Sequence, residues 1–153
     1  MLLAEALAER AQAQERLNSL HERLLTVVRV QEGDTPEEDP QELLRELDGV
    51  AGRIDELVQA INATNIATAF DEKMNLMKAL ALRDGLLRKR RIYHDLAQRA
   101  GTRSDRYSRN EIKFVSTIPV ADMRKRVDDL SKQYRELDTR IQQLNWNTEL
   151  KNG

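Results

Sequence analysis

Apolar residues recur at alternating intervals of four and three positions in two separate stretches of this chain. One stretch contains Met123, Val127, Leu130, Tyr134, Leu137, Ile141 and Leu144. The other contains Leu43, Leu47, Val50, Ile54, Leu57 and Ile61. An average spacing of 3.5 residues keeps apolar side chains on one narrow stripe of a helix, as in coiled coils. We therefore predict two helices that each bury one stripe, or seam, against another helix.

Two further helices are predicted from apolar patterning and from residues typical of helix ends. The four predicted helices cover about residues 2–30, 40–65, 76–100 and 120–146. Asp39 and Pro40 match an N-cap followed by proline at the first helical position, and Gly101 matches a C-cap. The third helix is expected to bury Ala79, Leu82, Leu86, Tyr93, Leu96 and Ala100. The β-favouring residues 112–115 predict a possible short strand or hairpin in the 102–119 link.

Length and composition favour a single all-α domain. A chain of 153 residues suits one domain that buries roughly 70% of its unfolded surface. Only 4% of the residues are aromatic and 33% are charged, a balance that suits long helices with a thin apolar seam. Short links between helices of similar length favour antiparallel neighbours. We therefore predict that residues 1–153 form one antiparallel bundle of four long helices with coiled-coil-like seams.

Several protein classes are excluded by what the sequence lacks. It contains no cysteine, which excludes disulfide and thiolate chemistry. Its first residues include Glu5 and Glu9, unlike the basic start and apolar run of a signal peptide. No window approaches the roughly 18 apolar residues of a membrane span. We expect a cytoplasmic protein that does not use a membrane as its partner.

The net charge of −1 hides a strong segregation of charge along the chain. Residues 1–72 carry 16 acidic and 6 basic side chains, whereas residues 73–153 carry 10 acidic and 19 basic ones. The basic half could bind nucleic acid or a membrane, or the two halves could neutralise each other within or between subunits. An up-down-up-down bundle would bring the acidic 31–42 turn and the basic 88–119 region to the same end. That arrangement favours neutralisation over a nucleic-acid partner.

No residue pattern points to catalysis or to a metal. Di-iron bundles need Glu three residues before His, but Asn18 and Arg91 precede His21 and His94 at that distance. The sequence has no glycine-rich phosphate loop and no serine nucleophile elbow. We expect no enzyme activity, catalytic residue, metal, cofactor or small-molecule substrate. The basic run 88–91 could contact phosphates, but a helix would spread its side chains around the circumference.

Two polar clusters are candidate sites. The first consists of Asp105, Arg106, Tyr107, Arg109 and Glu111 in the link before the fourth helix. It could bind a ligand, but an ion-pair network at the bundle end or at a subunit interface is the preferred interpretation. The second consists of Asn62, Asn65, Asn145 and Trp146. We expect it to cap helix C-termini and bury the indole, with ligand binding as the alternative.

Several short motifs together resemble the septicolysin-like family of small bacterial proteins. They are Asp105-Arg106-Tyr107-Ser108-Arg109, Leu3-Ala4-Glu5-Ala6-Leu7, Val30-Gln31-Glu32-Gly33, Ile61-Asn62 with Thr64-Asn65, and Leu137-Asp138-Thr139-Arg140-Ile141 with Asn145-Trp146. The resemblance spans nearly the whole chain and implies a helical protein that is not an enzyme. The family's cytolysin name would also imply pore formation.

The functional hypothesis that follows is a self-assembling helical interaction or scaffold protein. It is based on the two seams, the segregated charge and the absence of catalytic motifs. A membrane-active pore former and a weak nucleic-acid binder are the alternatives. Gly49 and Gly52 lie inside the second helix but off its seam, where they are either tolerated or form a close contact with another subunit.

Overall fold

A computed structural model describes residues 1–102 and 112–152 of the protein. The four helices are α1 (Leu3–Val27), α2 (Pro40–Ala67), α3 (Leu76–Gly101) and α4 (Val120–Asn147). The described residues contain no β-sheet, and isolated bridges join Leu2 to Glu149 and Ala69 to Asn75. The prediction of an all-α fold with four long helices is therefore confirmed.

The helices are distributed over two compact units. The first unit consists of Met1–Leu76 and Gln142–Gly153, so it contains α1, α2 and the last residues of α4. The second unit is Met77–Ile141, which holds nearly all of α3 and most of α4. Each unit is therefore built on one pair of long helices. The assignment of residues 1–153 to a single domain stays a prediction.

In the first unit, α1 and α2 pack through the seam predicted for α2. All six seam residues are buried or half-buried: Leu43, Leu47, Val50, Ile54, Leu57 and Ile61. Leu57 and Ile61 are only 1% and 2% exposed, and Leu20, Leu24 and Val27 of α1 form a buried cluster with Leu43. Burying one such side chain stabilises the fold by roughly 1.5–3 kcal/mol. The seam is therefore the main source of cohesion in this pair.

The ends of α1 and α2 follow from local hydrogen bonding and burial. The Asp39 carboxylate accepts a hydrogen bond from the Gln41 backbone N–H at 2.9 Å, which confirms the predicted N-cap of α2. The prediction that α1 extends to Val30 is wrong, because the helix ends at Val27. Val28 and Val30 are 60% and 44% exposed, so a longer helix would gain no apolar burial.

The C-terminal end of α2 lies two residues beyond the predicted boundary. Thr64 is fully buried, and its hydroxyl donates a hydrogen bond to the Ala60 carbonyl at 2.7 Å. The Thr68 backbone N–H and hydroxyl both donate to the Thr64 carbonyl. These bonds keep residues 62–67 helical, although the amide-rich sequence predicted an end at residue 65.

In the second unit, the seam predicted for α4 is confirmed but the stripe predicted for α3 is partly wrong. Leu82 and Leu96 were expected to be buried, yet they are 48% and 46% exposed. The buried or half-buried stripe instead contains Leu76, Ala79, Arg83, Leu86, Arg90, Tyr93, Ala97 and Ala100. This stripe keeps the spacing of three and four residues but places two arginines among the apolar positions.

The two arginines of this stripe explain the orientation of α3. Arg83 donates a hydrogen bond from Nη1 to an Asp138 carboxylate oxygen at 2.9 Å. Arg90 donates from Nε to the Ser131 hydroxyl at 2.6 Å. Because the partner numbers on α4 fall as the numbers on α3 rise, the two helices are antiparallel. Turning Leu82 and Leu96 toward α4 would break both bonds.

The possible short strand at residues 112–115 is also a wrong prediction. None of these residues belongs to a strand. Ile112, Phe114 and Val115 are 92%, 94% and 79% exposed. The β-propensity of such residues reflects packing on a half-buried sheet surface, and their side chains here lie in solvent instead.

The α2 seam provides a direct test of the fold. We expect Ile61→Ala to lower the free energy of unfolding by about 2–5 kcal/mol, because it leaves a cavity between buried side chains. Leu44→Ala on the 39% exposed side chain of the same helix should change it by less than about 1 kcal/mol. Urea unfolding followed by circular dichroism measures both values. Equal losses in the two variants would contradict the assignment of the buried face.

Candidate interaction surface

The first sequence-predicted cluster lies outside the described residues. Asp105, Arg106, Tyr107, Arg109 and Glu111 all fall between residues 102 and 112. Their role as an ion-pair network or ligand site therefore stays a prediction. The described residues closest in sequence on either side line a concave surface of the second unit.

This feature is a groove between the end of α3 and the chain segment before α4. It encloses about 510 Å³ and is lined by Leu96, Arg99, Ala100, Thr102, Phe114, Val115, Ser116, Thr117 and Ile118. We call it the α3–α4 groove. Its volume lies within the range typical of ligand and peptide pockets. Its lining is mainly apolar, and Arg99 contributes a positive charge at the last turn of α3.

The apolar side chains around the α3–α4 groove are unusually accessible. Phe114 and Val115 are 94% and 79% exposed, and Leu96 is 46% exposed. Large apolar side chains scattered singly are normal on protein surfaces, but several that meet at one concave site mark an interaction surface. The groove is therefore the strongest candidate for binding in the second unit.

A second concave feature lies at the turn between α1 and α2. It encloses about 520 Å³ and is lined by Thr26, Val27, Val30, Gln31, Asp34, Thr35, Pro36 and Glu37. We call the chain segment 31–37 that borders this feature the acidic turn. Gly33 holds a backbone φ of 90°, and the Asp34 N–H donates to the Gln31 carbonyl at 3.0 Å. Only glycine adopts such a φ without strain, so this turn has a defined shape.

Three ion pairs in the first unit connect α1 to α2 or to the turn that precedes α2. They are Arg53 with Glu9 at 2.7 Å, Arg16 with Glu46, and Arg23 with Glu38. The α1 members are spaced seven residues apart, which places them along one edge of the helix. Their partners occur in reverse order, so α1 and α2 are antiparallel. All three pairs lie within the acidic half of the sequence.

The ion pairs shift the pKa values of the groups that form them. Hydrogen bonds from Arg53 lower the pKa of Glu9, and those from Arg23 lower the pKa of Glu38. In the second unit, burial lowers the pKa of Arg83, but hydrogen bonds to Asp138 and Asp84 outweigh it and the net shift is upward. These groups therefore stay charged over a wide pH range and hold the helix pairs in register.

The side chains of the basic run 88–91 differ in exposure. Arg88, Lys89 and Arg91 are exposed, whereas Arg90 is half-buried and donates its hydrogen bond to Ser131. The predicted spreading of these side chains around the helix is confirmed. Tyr93 and Arg126 interact nearby, with the guanidinium carbon 5.6 Å from the ring centroid.

The second sequence-predicted cluster is only partly buried. Asn145 is 5% exposed and Asn65 is half-buried, but Asn62 is exposed and Trp146 is 61% exposed. The expectation that the indole is buried is therefore wrong. The buried polar residue that sequence reasoning missed is Thr64. Thr64 lies three residues after Ile61 and so continues the spacing of the α2 seam. This spacing is the sequence signal that could have identified it as buried.

Thr64 belongs to a set of hydrogen bonds that we call the terminal clasp. The Lys151 N–H donates to the Thr64 hydroxyl at 2.9 Å. The Leu3 N–H donates to the Thr148 carbonyl at 2.8 Å, and the Leu150 N–H donates to the Met1 carbonyl at 2.8 Å. The chain after α4 is thus bound to the beginning of α1 and to α2. This clasp provides hydrogen-bond partners for backbone groups of the first unit.

The described residues were searched for metal-binding clusters and for membrane-spanning helices. Among them, no group of three or more His, Asp or Glu side chains is arranged to hold a metal ion. Within residues 1–102 and 112–152, no helix has a stretch long and apolar enough to cross a bilayer.

Comparison with known proteins defines the family. The family of unknown function DUF6847 matches residues 10–150. The chain belongs to this family. It is also 52% identical to a functionally unknown conserved protein from Corynebacterium diphtheriae, with a TM-score of 0.93 to its crystal structure over 99% of each chain. No curated protein matches the chain. The DUF6847 match includes both concave features, and the septicolysin-like resemblance stays a prediction.

The ion pair between Glu9 and Arg53 predicts a pH-dependent contribution to stability. We expect Arg53→Gln to raise the pKa of Glu9 toward its ordinary value of 4.5, because the lost hydrogen bonds favour the ionised carboxylate. Carbon NMR of the Glu9 carboxyl group during a pH titration measures this change. Arg45→Gln on the same helix is the matched control and should leave the Glu9 titration unchanged.

The same variant tests the linkage between that pKa and folding. Because the pKa of Glu9 is lower in the folded than in the unfolded state, the pair stabilises the fold above about pH 4.5. This contribution is lost as the pH falls through the folded-state pKa. The difference in unfolding free energy between wild type and Arg53→Gln should therefore shrink in acid. A difference that grew with acidity would contradict the ion pair.

Proposed function

We propose that this DUF6847 protein is a non-enzymatic interaction module that self-associates and presents a binding surface as an oligomer. The observation that carries the proposal is the α3–α4 groove with its exposed Phe114 and Val115. Leaving large apolar side chains in water forgoes roughly 25 cal/mol per Å² of burial. A surface of this kind is expected to be covered by a protein partner.

The distribution of charge supports association between like chains. Residues 1–72 carry a net charge of −10, and residues 73–153 carry a net charge of +9. The three ion pairs made by Glu9, Arg16 and Arg23 of α1 each combine one acid with one base, so they leave the excess of negative charge in the first half unchanged. Two copies of such a chain can attract each other although the chain as a whole is nearly neutral.

Sedimentation velocity over a range from micromolar to submillimolar concentration tests this proposal. We expect a species heavier than the 17.7 kDa chain, with a population that increases with concentration. Phe114→Gln should weaken association, because it removes an accessible apolar contact without disturbing the buried seams. Leu82→Gln, on a half-exposed side chain of α3 that does not line the groove, is the matched control. A wild-type chain that stays monomeric throughout would overturn self-association.

The glycines of α2 offer an alternative interface that can be tested separately. A Cβ atom added at Gly49 or Gly52 would meet no atom of the chain within 4 Å. We expect Gly49→Ala and Gly52→Ala each to raise the unfolding free energy by about 0.5–1 kcal/mol and to leave association unchanged. Thermal unfolding and sedimentation measure the two effects. Weaker association of the alanine variants would place the interface on this face instead.

A further inference from the structure

We infer that the α3–α4 groove of one copy binds the acidic turn of a second copy. The inference rests on the proposed self-association and specifies which two surfaces meet. The two surfaces belong to different compact units and to the two oppositely charged halves of the sequence. They are therefore distinct patches that can be altered independently.

Charge complementarity is the first argument for this pairing. The groove carries the positive charge of Arg99, which is exposed. The acidic turn carries Asp34 and Glu37 within its lining, and both side chains are exposed. Opposite charges on two patches steer encounter and fix orientation, and like charges penalise the wrong pairing. Groove with groove, or turn with turn, would place like charges together.

Apolar complementarity is the second argument. Phe114 and Val115 are the most exposed large side chains of the groove. At the acidic turn, Val30 is 44% exposed, and Val28 beside it is 60% exposed. Each patch therefore has an apolar centre next to charged groups, which is the usual composition of a protein interface. Burial of both centres in one contact would remove the largest accessible apolar side chains of each patch from water.

The ordered backbone of the acidic turn makes it a suitable ligand for the groove. Its chain direction is set by Gly33 at φ 90° and by the hydrogen bond from Asp34 to Gln31. On one side it is anchored by the ion pair of Arg23 with Glu38. A segment that is already ordered loses little conformational entropy on binding. Glu37, next to this anchored residue, is the side chain that we place opposite Arg99.

The inferred contact joins two different patches, so each contact pairs the groove of one copy with the turn of another. In a sample of one charge-reversed variant, every such contact contains the altered patch. A mixture of a groove variant and a turn variant contains two attractive pairs, namely the wild-type pair and a pair in which both charges are reversed. A variant that had only lost stability would not regain association in such a mixture.

The experiment compares Arg99→Glu and Glu37→Arg, alone and mixed, by sedimentation velocity. Each variant alone should have a dissociation constant for self-association at least about tenfold above the wild-type value, because the attractive contact becomes repulsive. An equimolar mixture should regain a dissociation constant within about threefold of wild type. Arg135→Glu and Glu15→Arg make the same charge changes at exposed positions outside both patches and should associate like wild type.

The possible results separate this inference from the proposed function. A monomeric wild-type chain would overturn both. A wild-type dimer with unaltered association in the single variants would overturn the pairing of groove and turn while leaving self-association intact. Variants that remain monomeric even when mixed would also overturn the pairing, provided that circular dichroism shows folded helices. Rescue in the mixture alone supports the reciprocal contact.

Discussion

Polar side chains that recur every seven residues fix the register of each helix pair, and the other features of the two units depend on that register. An apolar stripe alone tolerates a shift by one heptad, because the next turn presents similar side chains. Glu9, Arg16 and Arg23 of the first pair cannot be shifted in this way without losing their partners. In the second pair, Arg83 and Arg90 impose the same condition on α4. The apolar seam supplies cohesion, and the polar positions select one alignment.

The register of the second pair also produces its binding surface. With Arg83 and Arg90 turned toward α4, the neighbouring stripe of α3 that contains Leu82 and Leu96 lies at the surface. Leu96 then becomes part of the wall of the α3–α4 groove. A leucine-only seam would have buried these side chains and closed the surface. The exposed apolar area is thus a consequence of where the arginines were placed along the helix.

The predictable and unpredictable parts of this fold differ for a physical reason. The seams of α2 and α4 could be read from the sequence because their aliphatic residues occupy only one stripe. In α3 the aliphatic residues occupy two adjacent stripes, so the pattern did not show which one is buried, and arginine is normally expected at the surface. Thr64 continued a predicted seam but was overlooked because it is polar. Trp146 was expected to be buried because tryptophan is a large apolar residue. The exposure of a side chain depends on which face of the helix it occupies, and residue type alone did not show this for Trp146.

The terminal clasp has a consequence for the order in which the molecule can be completed. The hydrogen bond from Leu3 to Thr148 joins residues from nearly opposite ends of the sequence, whereas each helix pair joins segments that are consecutive in the chain. Closing such a long loop costs more entropy than forming a local helical hairpin. During synthesis, α1 and α2 emerge from the ribosome first, but Thr64 must wait for the backbone of Lys151. The first unit therefore starts to form before the second unit but completes its hydrogen bonds only after the whole second unit has been synthesised.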